Sequence, residues 1–259
     1  MGAGRANGVC KVKTLSLVIP CFNEAERLSK ADFLDALAKW PWLSFCFVDD
    51  GSTDSTAEKI AHLERLSPSV RALYLPKNMG KAEAVRTGIR YLCKNECADY
   101  IGFWDADLAT PLDEIPSFMR HFEERPHIKA VIGSRWPHLG GNIQRNQARK
   151  LTGWIAKSII RRILKAQVWD TQCGAKIFSR SLAKEIFDSP FRTKWLFDIE
   201  LLMRIGCRRL SDLAVEHPVH AWSDVPGSKV GIDTIADFIT LIKLSLLRSR
   251  WCSRPHISQ

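Results

Sequence analysis

Residues 100 to 111 read YIGFWDADLATP, and this stretch decides the fold. Its first five residues are aromatic, apolar or glycine, the short continuous pattern of a strand buried on both faces. Asp105 and Asp107 then follow with one residue between them. On an extended segment residues i and i+2 point the same way, so the two carboxylates can share one ion. Hard oxygen ligands suit Mg²⁺ or Mn²⁺, which keep open positions for phosphate oxygens. Most D-x-D tripeptides are solvated turns, since aspartate is mostly exposed. The position of this one, at the end of an apolar strand, gives it weight. Thr110 and Pro111 predict the next helix start, as N-cap and first helical residue.

Upstream the chain alternates strands with helices. Thr14 to Pro20 (TLSLVIP) is a strand, and Ala25 to Lys39 has helical periodicity. Leu43 to Asp49 (LSFCFVD) is the second strand, closed by Asp50-Gly51-Ser52. A helix starts near Ser55, where Ser-Thr-Ala-Glu has capping-box spacing. Val70 to Leu75 is a third strand, a turn spans Pro76 to Gly80, and a helix runs to about Cys93. Downstream, Ile128 to Gly133 is the fifth strand. This alternation predicts an α/β fold, a mainly parallel sheet with helices on both faces. Ligands of such sheets bind outside the carboxyl ends of the strands. The acids collect there: Asp49 and Asp50 after the second strand, Asp105 and Asp107 after the fourth.

The second half changes character. Residues 144–167 read as a long basic helix, Ala175 to Phe178 as a strand, and Trp195 to Gly206 as an amphipathic helix. Ile232, Ile235, Ile239, Ile242 and Leu246 follow a helical apolar stripe. The formal charge of +10 is segregated. Seven basic residues and no acid lie between Arg145 and Lys165, and four more with no acid lie beyond Phe238. The remainder is close to neutral. Such a face suits an anionic partner, a membrane surface or a nucleic acid. No helix-turn-helix, zinc-finger or RNP-like signature accompanies it, so nucleic acid is not expected. Leu151, Trp154, Ile155, Ile159, Ile160, Ile163 and Leu164 interleave the charges, which suits a helix lying in a membrane interface. No apolar run reaches the roughly 18 residues of a spanning helix. Of the eight cysteines, Cys93 and Cys97 have a C-x3-C spacing but no second pair and no nearby histidine cluster, and no secretory segment precedes them, so free thiols in a reducing compartment are expected.

Two further loops have a bland and a functional reading. Asp49-Asp50-Gly51-Ser52 is a turn by composition, or a carboxylate site for a nucleobase or ribose. Pro20-Cys21-Phe22-Asn23-Glu24 is a strand exit, or a loop placing Phe22 and Glu24 around a base. Lys81, after Asn78-Met79-Gly80, stands near phosphate in the functional reading. The P-loop spacing is absent.

Taken together, VIPCFNEAERL (18–28), FVDDGSTDST (47–56), NMGKAEAVRTG (78–88), FWDADLATP (103–111) and GSR (133–135) resemble the family 2 glycosyltransferases of the GT-A fold. DTQCGAKIFSR (170–180), WLFDIELLMR (195–204) and PGSK (226–229) look like the polyprenyl-phosphate branch, dolichyl-phosphate glucosyltransferases among them. The resemblance implies that Pro20, Phe22, Glu24, Val48, Asp49 and Asp50 line a nucleoside pocket, with Lys81 beside the donor. It implies that Asp105, Ala106 and Asp107 contact metal and diphosphate, that Arg135 faces the phosphates, and that Lys229 closes over the donor. Arg149 matches an arginine that holds a lipid phosphate. Gly153 stands where such enzymes have a phosphate-binding serine, Ala109 where a third metal-side ligand is common, and Phe22 replaces a tyrosine. The membrane-spanning helices of many relatives are missing.

The expected organisation is a flexible 1–13, a nucleotide-sugar-binding half over 14–143, an acceptor half of the same domain over 144–230, and an amphipathic helix with its tail over 231–259. The expected reaction is metal-dependent, inverting transfer of a hexose, glucose from UDP-glucose, to a polyprenyl monophosphate. The expected location is the cytoplasm, peripherally on an anionic membrane surface or docked on a membrane subunit. A hydroxyl acceptor would instead need a base, and Asp198 or Glu200 would supply it. Their bland reading is helix acids paired with a basic neighbour.

Overall fold

The computed structural model describes residues 13–136, 142–144, 168–194, 196–223 and 233–246. Nine strands are present among them: β1 (Leu15–Cys21), β2 (Leu43–Asp49), β3 (Val70–Tyr74), β4 (Tyr100–Trp104), β5 (Ala130–Ser134), β6 (Asn142–Gln144), β7 (Ala175–Ser179), β8 (Ala214–Pro218) and β9 (Ala221–Ser223). Seven form one sheet in the order β3-β2-β1-β4-β7-β5-β8, and β6 pairs with β9 in a small parallel ribbon. Every pairing in the large sheet is parallel except those of β7, which runs antiparallel between β4 and β5. The two halves of the chain therefore share one sheet.

Side-chain alternation explains the layering. Val18, Cys46, Val48, Ile101 and Phe103 point to one face and meet α3 (Lys81–Asn95) through Ala84, Val85 and Ile89. Leu17, Ile19, Phe45, Phe47 and Trp104 point to the other. There they meet Phe33 of α1 (Lys30–Lys39), Ile60 and Leu63 of α2 (Thr56–Leu66), and Phe118 and Phe122 of α4 (Ile115–Glu124). A strand with both faces covered is a continuous apolar run, which is why these segments are legible. The first face is completed by α5 (Arg180–Ile186), α6 (Phe197–Ile205), α7 (Cys207–Leu213) and α8 (Asp233–Leu246).

Four local expectations are corrected. The first helix begins at Lys30, not Ala25: Ser29 caps it by accepting from the Asp32 amide, while the Arg27 and Leu28 amides turn back onto the Glu24 carbonyl. Ser55 forms no capping box; Asp54 accepts instead from the amide and hydroxyl of Thr56. Thr110 is buried and its carbonyl accepts from the Trp104 indole at 2.7 Å, so the chain passes through a 3₁₀ turn at Leu112–Glu114 before α4 begins. Gln144, expected to start the basic helix, lies in β6, and 145–167 fall outside the described residues.

Among the residues of α8 whose burial is described, Asp237 and Leu241 are buried, whereas Ile239 and Ile242 of the apolar stripe are 49% and 38% exposed. Periodicity identifies a face but not the residue that docks it. Asp237 docks because its carboxylate accepts from the backbone amides of Lys194 (3.1 and 3.0 Å) and Leu196 (3.0 Å). Asp237→Ala should leave those buried donors unsatisfied and cost about 2–3 kcal/mol, hydrogen bonds to charged groups being the strong ones. Urea unfolding checks this, and an unchanged midpoint would refute the docking role.

Candidate active site

The strand order reverses between β1 and β4, and the loops leaving β1, β2 and β4 surround that switch point, where a crevice opens in sheets of this kind. The loop after β1 is held by the loop after β2. The Asn23 amide donates to Ser52 Oγ at 3.0 Å, that of Glu24 to Thr56 Oγ1 at 2.8 Å, and that of Ala25 to Asp54 Oδ2 at 3.1 Å. In return Asn23 Oδ1 accepts from the Thr53 amide at 2.8 Å. Asn23 sits at φ 53°, a left-handed conformation that asparagine tolerates better than most residues. Glu24 pairs with Arg27 at 2.5 Å.

A second chain of contacts leads to the central carboxylate. Asp50 accepts from the Met79 amide at 2.7 Å and the Gly80 amide at 2.8 Å, one on each oxygen. Burial raises the Asp50 carboxyl above its ordinary range, and the two amide bonds oppose this. The turn it clasps needs φ +91° at Gly80, which only glycine adopts readily. The next residue is Lys81, the first of α3, and its Nζ lies 2.5 Å from Asp105 Oδ1. Burial pulls the Lys81 ammonium down, but the charges of Asp105, Asp198 and Asp107 outweigh it and hold it above its usual value.

Asp105 is confined on its other side by backbone. A Cβ on Gly174 would lie 1.8 Å from Asp105 Oδ2. Gly174 precedes β7, the strand inserted beside β4, so the second half of the chain closes against the first at this carboxylate. Asp107 Oδ1 accepts from the Ala109 amide at 3.1 Å. Burial and then the Asp105 charge raise the Asp107 carboxyl above its ordinary range. Leu108 between them and the next turn has φ 51°, an uncommon value for a side chain of its size.

Three ion pairs, two of them buried, lie at β5, β7 and α6. Lys176 of β7 is fully buried and donates to Asp198 at 2.5 Å and to the Cys173 carbonyl at 2.6 Å, with its ammonium 5.3 Å from the Phe103 ring centroid. Asp198, considered above as a base, is thus buried and bound to an ammonium. Glu200 likewise accepts from Arg204 at 2.9 Å and from the amides of Arg192 and Thr193. At the end of β5, Arg135 makes a bidentate pair with Asp170, at 2.6 and 2.8 Å, and lies 5.2 Å from the Trp222 ring centroid. Burial works against the guanidinium's charge, and Asp170 more than compensates, raising its pKa. The Asp170 amide itself donates to Glu216 at 2.8 Å.

The structure thus brings together Asp50, Lys81, Asp105, Ala106 and Asp107. Pro20, in β1, and Phe22, in the loop after it, are half-buried, and the Asp49 carboxylate accepts from the Ser52 amide at 3.3 Å. Val48 is wholly buried, on the face that packs against α3. Arg149 and Lys229 lie outside the described residues. Sequence reasoning missed Gly174, Lys176 and Asp170 as individuals, although all three stand in the quoted run 170–180. Nothing local reveals that a glycine faces a carboxylate from another strand.

Strand-end carboxylates facing a lysine at a helix N-terminus, on a mainly parallel α/β sheet, make up the candidate site. Residues 16–187 match the family described as glycosyl transferase family 2, and the chain belongs to that family. It is 31% identical over 246 residues to a dolichyl-phosphate beta-glucosyltransferase of Trichomonas vaginalis, covering 89% of this chain and 70% of that one. With the dolichyl-phosphate beta-glucosyltransferase of Dictyostelium discoideum it shares 32% identity over 247 residues, 88% of this chain and 72% of the other. Among solved structures, glucosyl-3-phosphoglycerate synthase from Mycobacterium tuberculosis in complex with Mn²⁺ and uridine-diphosphate-glucose superposes with a TM-score of 0.63 at 20% identity, covering 95% of this chain and 81% of that one. The fold expected from the sequence is thereby established, as is the enzyme class.

Gly174→Ala tests the confinement of Asp105. The added methyl must displace the carboxylate, and a shift of about 1 Å in a positioning group can cost roughly a hundredfold in rate. Transfer activity should fall by about that factor while the far-ultraviolet circular dichroism stays native. Unchanged activity would show that Asp105 does not depend on the glycine.

Proposed function

We propose that this glycosyltransferase carries out inverting transfer of glucose from UDP-glucose to a polyprenyl monophosphate of the dolichyl type. One observation carries the reading. The carboxylate pair Asp105 and Asp107 faces Lys81 at the strand ends, in a chain whose relatives are dolichyl-phosphate beta-glucosyltransferases. The donor follows from the glucosyl transfer in those names and from the UDP-glucose in the related fold.

The residues present fit a divalent cation. Two hard oxygen donors stand close enough for the Asp105 charge to raise Asp107, a repulsion that a cation relieves. Asp105 and Asp107 would hold Mg²⁺ or Mn²⁺, and when bound the ion would stabilise the charge on the leaving nucleoside diphosphate. Lys81, aimed by Asp50 through the 79–80 turn, adds a fixed positive charge on the same side. Arg135, oriented by Asp170, is assigned to the phosphates, with Lys229 on the donor and Arg149 on the acceptor phosphate. Pro20, Phe22, Glu24 and Asp49 are assigned to the nucleoside.

A phosphate monoester has its second pKa near roughly 6, so the acceptor is already an oxyanion at neutral pH. Catalysis then needs positioning and charge stabilisation rather than a base. The Asp198 pairing favours this acceptor over a hydroxyl: a carboxylate buried against Lys176 is poorly placed to take a proton from substrate.

Incubation of the purified protein with a panel of nucleotide sugars, dolichyl phosphate and Mn²⁺ or Mg²⁺, with mass spectrometry of the products, should yield a lipid-linked glucosyl monophosphate and UDP. Asp105→Asn and Asp107→Asn should each lower the rate about a thousandfold, since the ion supplies several kcal/mol. Excess EDTA should abolish transfer reversibly. Transfer to a soluble hydroxyl acceptor alone, lost in Asp198→Asn, would overturn the phosphate assignment. Full activity in excess chelator would overturn the metal.

A polyprenyl acceptor stays in a bilayer, which supports a location at the membrane surface. Among the described residues no helix is long and apolar enough to cross one. Trp136 and Trp169 are both exposed and meet at a tilt of 50° with 4.8 Å between centroids, on either side of the basic run in sequence, and Ile239 and Ile242 are exposed on α8. We assign these groups and the 145–165 charges to peripheral attachment from the cytoplasmic side, each Lys or Arg contributing about 1 kcal/mol at an anionic surface. Co-sedimentation with phosphatidylserine vesicles should weaken with salt, and should fall at least tenfold when Lys157, Arg161 and Arg162 become glutamate. Failure to bind such vesicles at low salt would point to a docking subunit instead.

A further inference from the structure

Beyond the Asp105–Asp107 loop the 3₁₀ turn Leu112–Glu114 meets the end of β8 and the turn into β9. Glu114 and His217 are buried, while the His220 side chain is 65% exposed. Glu114 Oε2 lies 3.4 Å from His217 Nε2 and 3.1 Å from His220 Nδ1, and the three ligand atoms all fall within 4.8 Å of one another. We infer that Glu114, His217 and His220 form a second divalent-metal site, selective for the Zn²⁺ class and separate from the Asp105–Asp107 pair.

The donor chemistry supports the assignment. Two imidazole nitrogens and one carboxylate oxygen are the ligand set of Zn²⁺ sites that keep an open position, whereas Mg²⁺ and Ca²⁺ prefer oxygen alone. Ligands about 2.0–2.1 Å from a tetrahedral ion stand roughly 3.3 Å apart, close to the 3.1 and 3.4 Å found here. The cluster therefore needs little rearrangement to close around an ion.

The surroundings hold each ligand in place. Glu114 Oε1 accepts from the amides of His220 at 2.7 Å and Ala221 at 3.2 Å, which leaves Oε2 turned toward the imidazoles. His217 Nδ1 lies 3.0 Å from His121 Nε2, so His121 can fix the ring and its tautomer as outer partners of metal-bound histidines do. The exposed His220 gives the ion a path from solvent and a face for a water ligand.

Such an ion would join two segments that reach the active-site loop. Glu114 follows that loop directly in sequence, and Ser223 of β9 donates its amide to the Ala109 carbonyl at 3.3 Å. The site is therefore a clip that braces the Asp105–Asp107 loop from behind, with no part in donor binding.

The experiment uses the full chain carrying Asp105→Asn and Asp107→Asn, which removes the donor-side carboxylates, with and without His220→Ala. His220 is exposed, so its replacement leaves the core intact, and Glu114→Gln is the second variant. Each protein is stripped with chelator, titrated with Zn²⁺ by calorimetry, and examined with Co²⁺ by visible absorption. The Asp105/Asp107 variant should bind one Zn²⁺, show the intense spectrum of four- or five-coordinate Co²⁺, and melt about 5 °C or more higher at a hundredfold excess over Kd. His220→Ala and Glu114→Gln in that background should each weaken binding about a hundredfold and lose the spectrum. Absence of binding in the Asp105/Asp107 variant would reduce the cluster to a hydrogen-bonded network and overturn the site. So would undiminished Zn²⁺ affinity after His220→Ala. Neither result bears on transfer to a lipid phosphate, which is measured with the unmodified donor site.

Discussion

A carboxylate that must meet a ligand's charge has to be held in one position before the ligand arrives. At the end of β4 this constraint falls on Asp105, pressed between the Lys81 ammonium and the backbone of Gly174. Much of the architecture serves those two contacts. Lys81 is in place because Asp50 clasps the amides of Met79 and Gly80, and Asp50 is in place because β2 ends beside β1. Gly174 is in place because β7 threads antiparallel between β4 and β5. Three crossovers of the chain therefore converge on one oxygen pair.

The same economy of charge extends into the second half. Lys176 sits fully buried against Asp198, and removal of either partner alone would strand an uncompensated charge, which is far costlier than the pair itself. Arg135 and Asp170 meet in a fork, and the amides of Trp169 and Asp170 both turn to Glu216. These contacts tie the end of β5 to the entry of β7 and to β8, so that Arg135 is presented at the strand ends with a fixed orientation. Bidentate geometry gives direction as well as charge.

How much of this was legible in the sequence follows from where each signal resides. Strands buried on both faces announce themselves, and Leu43–Asp49 and Tyr100–Trp104 have the bounds their apolar runs predict. The placement of Asp105 and Asp107 at the carboxyl edge follows from the same pattern, and the motif order carried the family. Local polar chemistry was harder to read. Ser55 had the spacing of a capping box, but Asp54 took the Thr56 amide first. Thr110 had the composition of an N-cap, but its carbonyl is needed by the Trp104 indole. In each case a competing donor or acceptor, invisible to spacing rules, won.

The elements that could not be read at all are those defined by partners far away in sequence. Gly174 is 69 residues from Asp105, and a glycine before a strand signals nothing about what lies opposite it. The C-terminal helix makes the point most sharply, because its amphipathic pattern was visible and the residue that anchors it was not. Ile239 and Ile242 look toward solvent, while an aspartate, Asp237, is the buried anchor. Hydrophobic periodicity assumes that apolar groups dock and polar groups do not. That assumption fails where unsatisfied backbone amides await an acceptor, since a carboxylate there gains hydrogen bonds that no isoleucine can make. In α8 an aspartate therefore shares the docked face with Leu241, and the hydrogen bonds it accepts are what hold the helix to the 194–196 backbone.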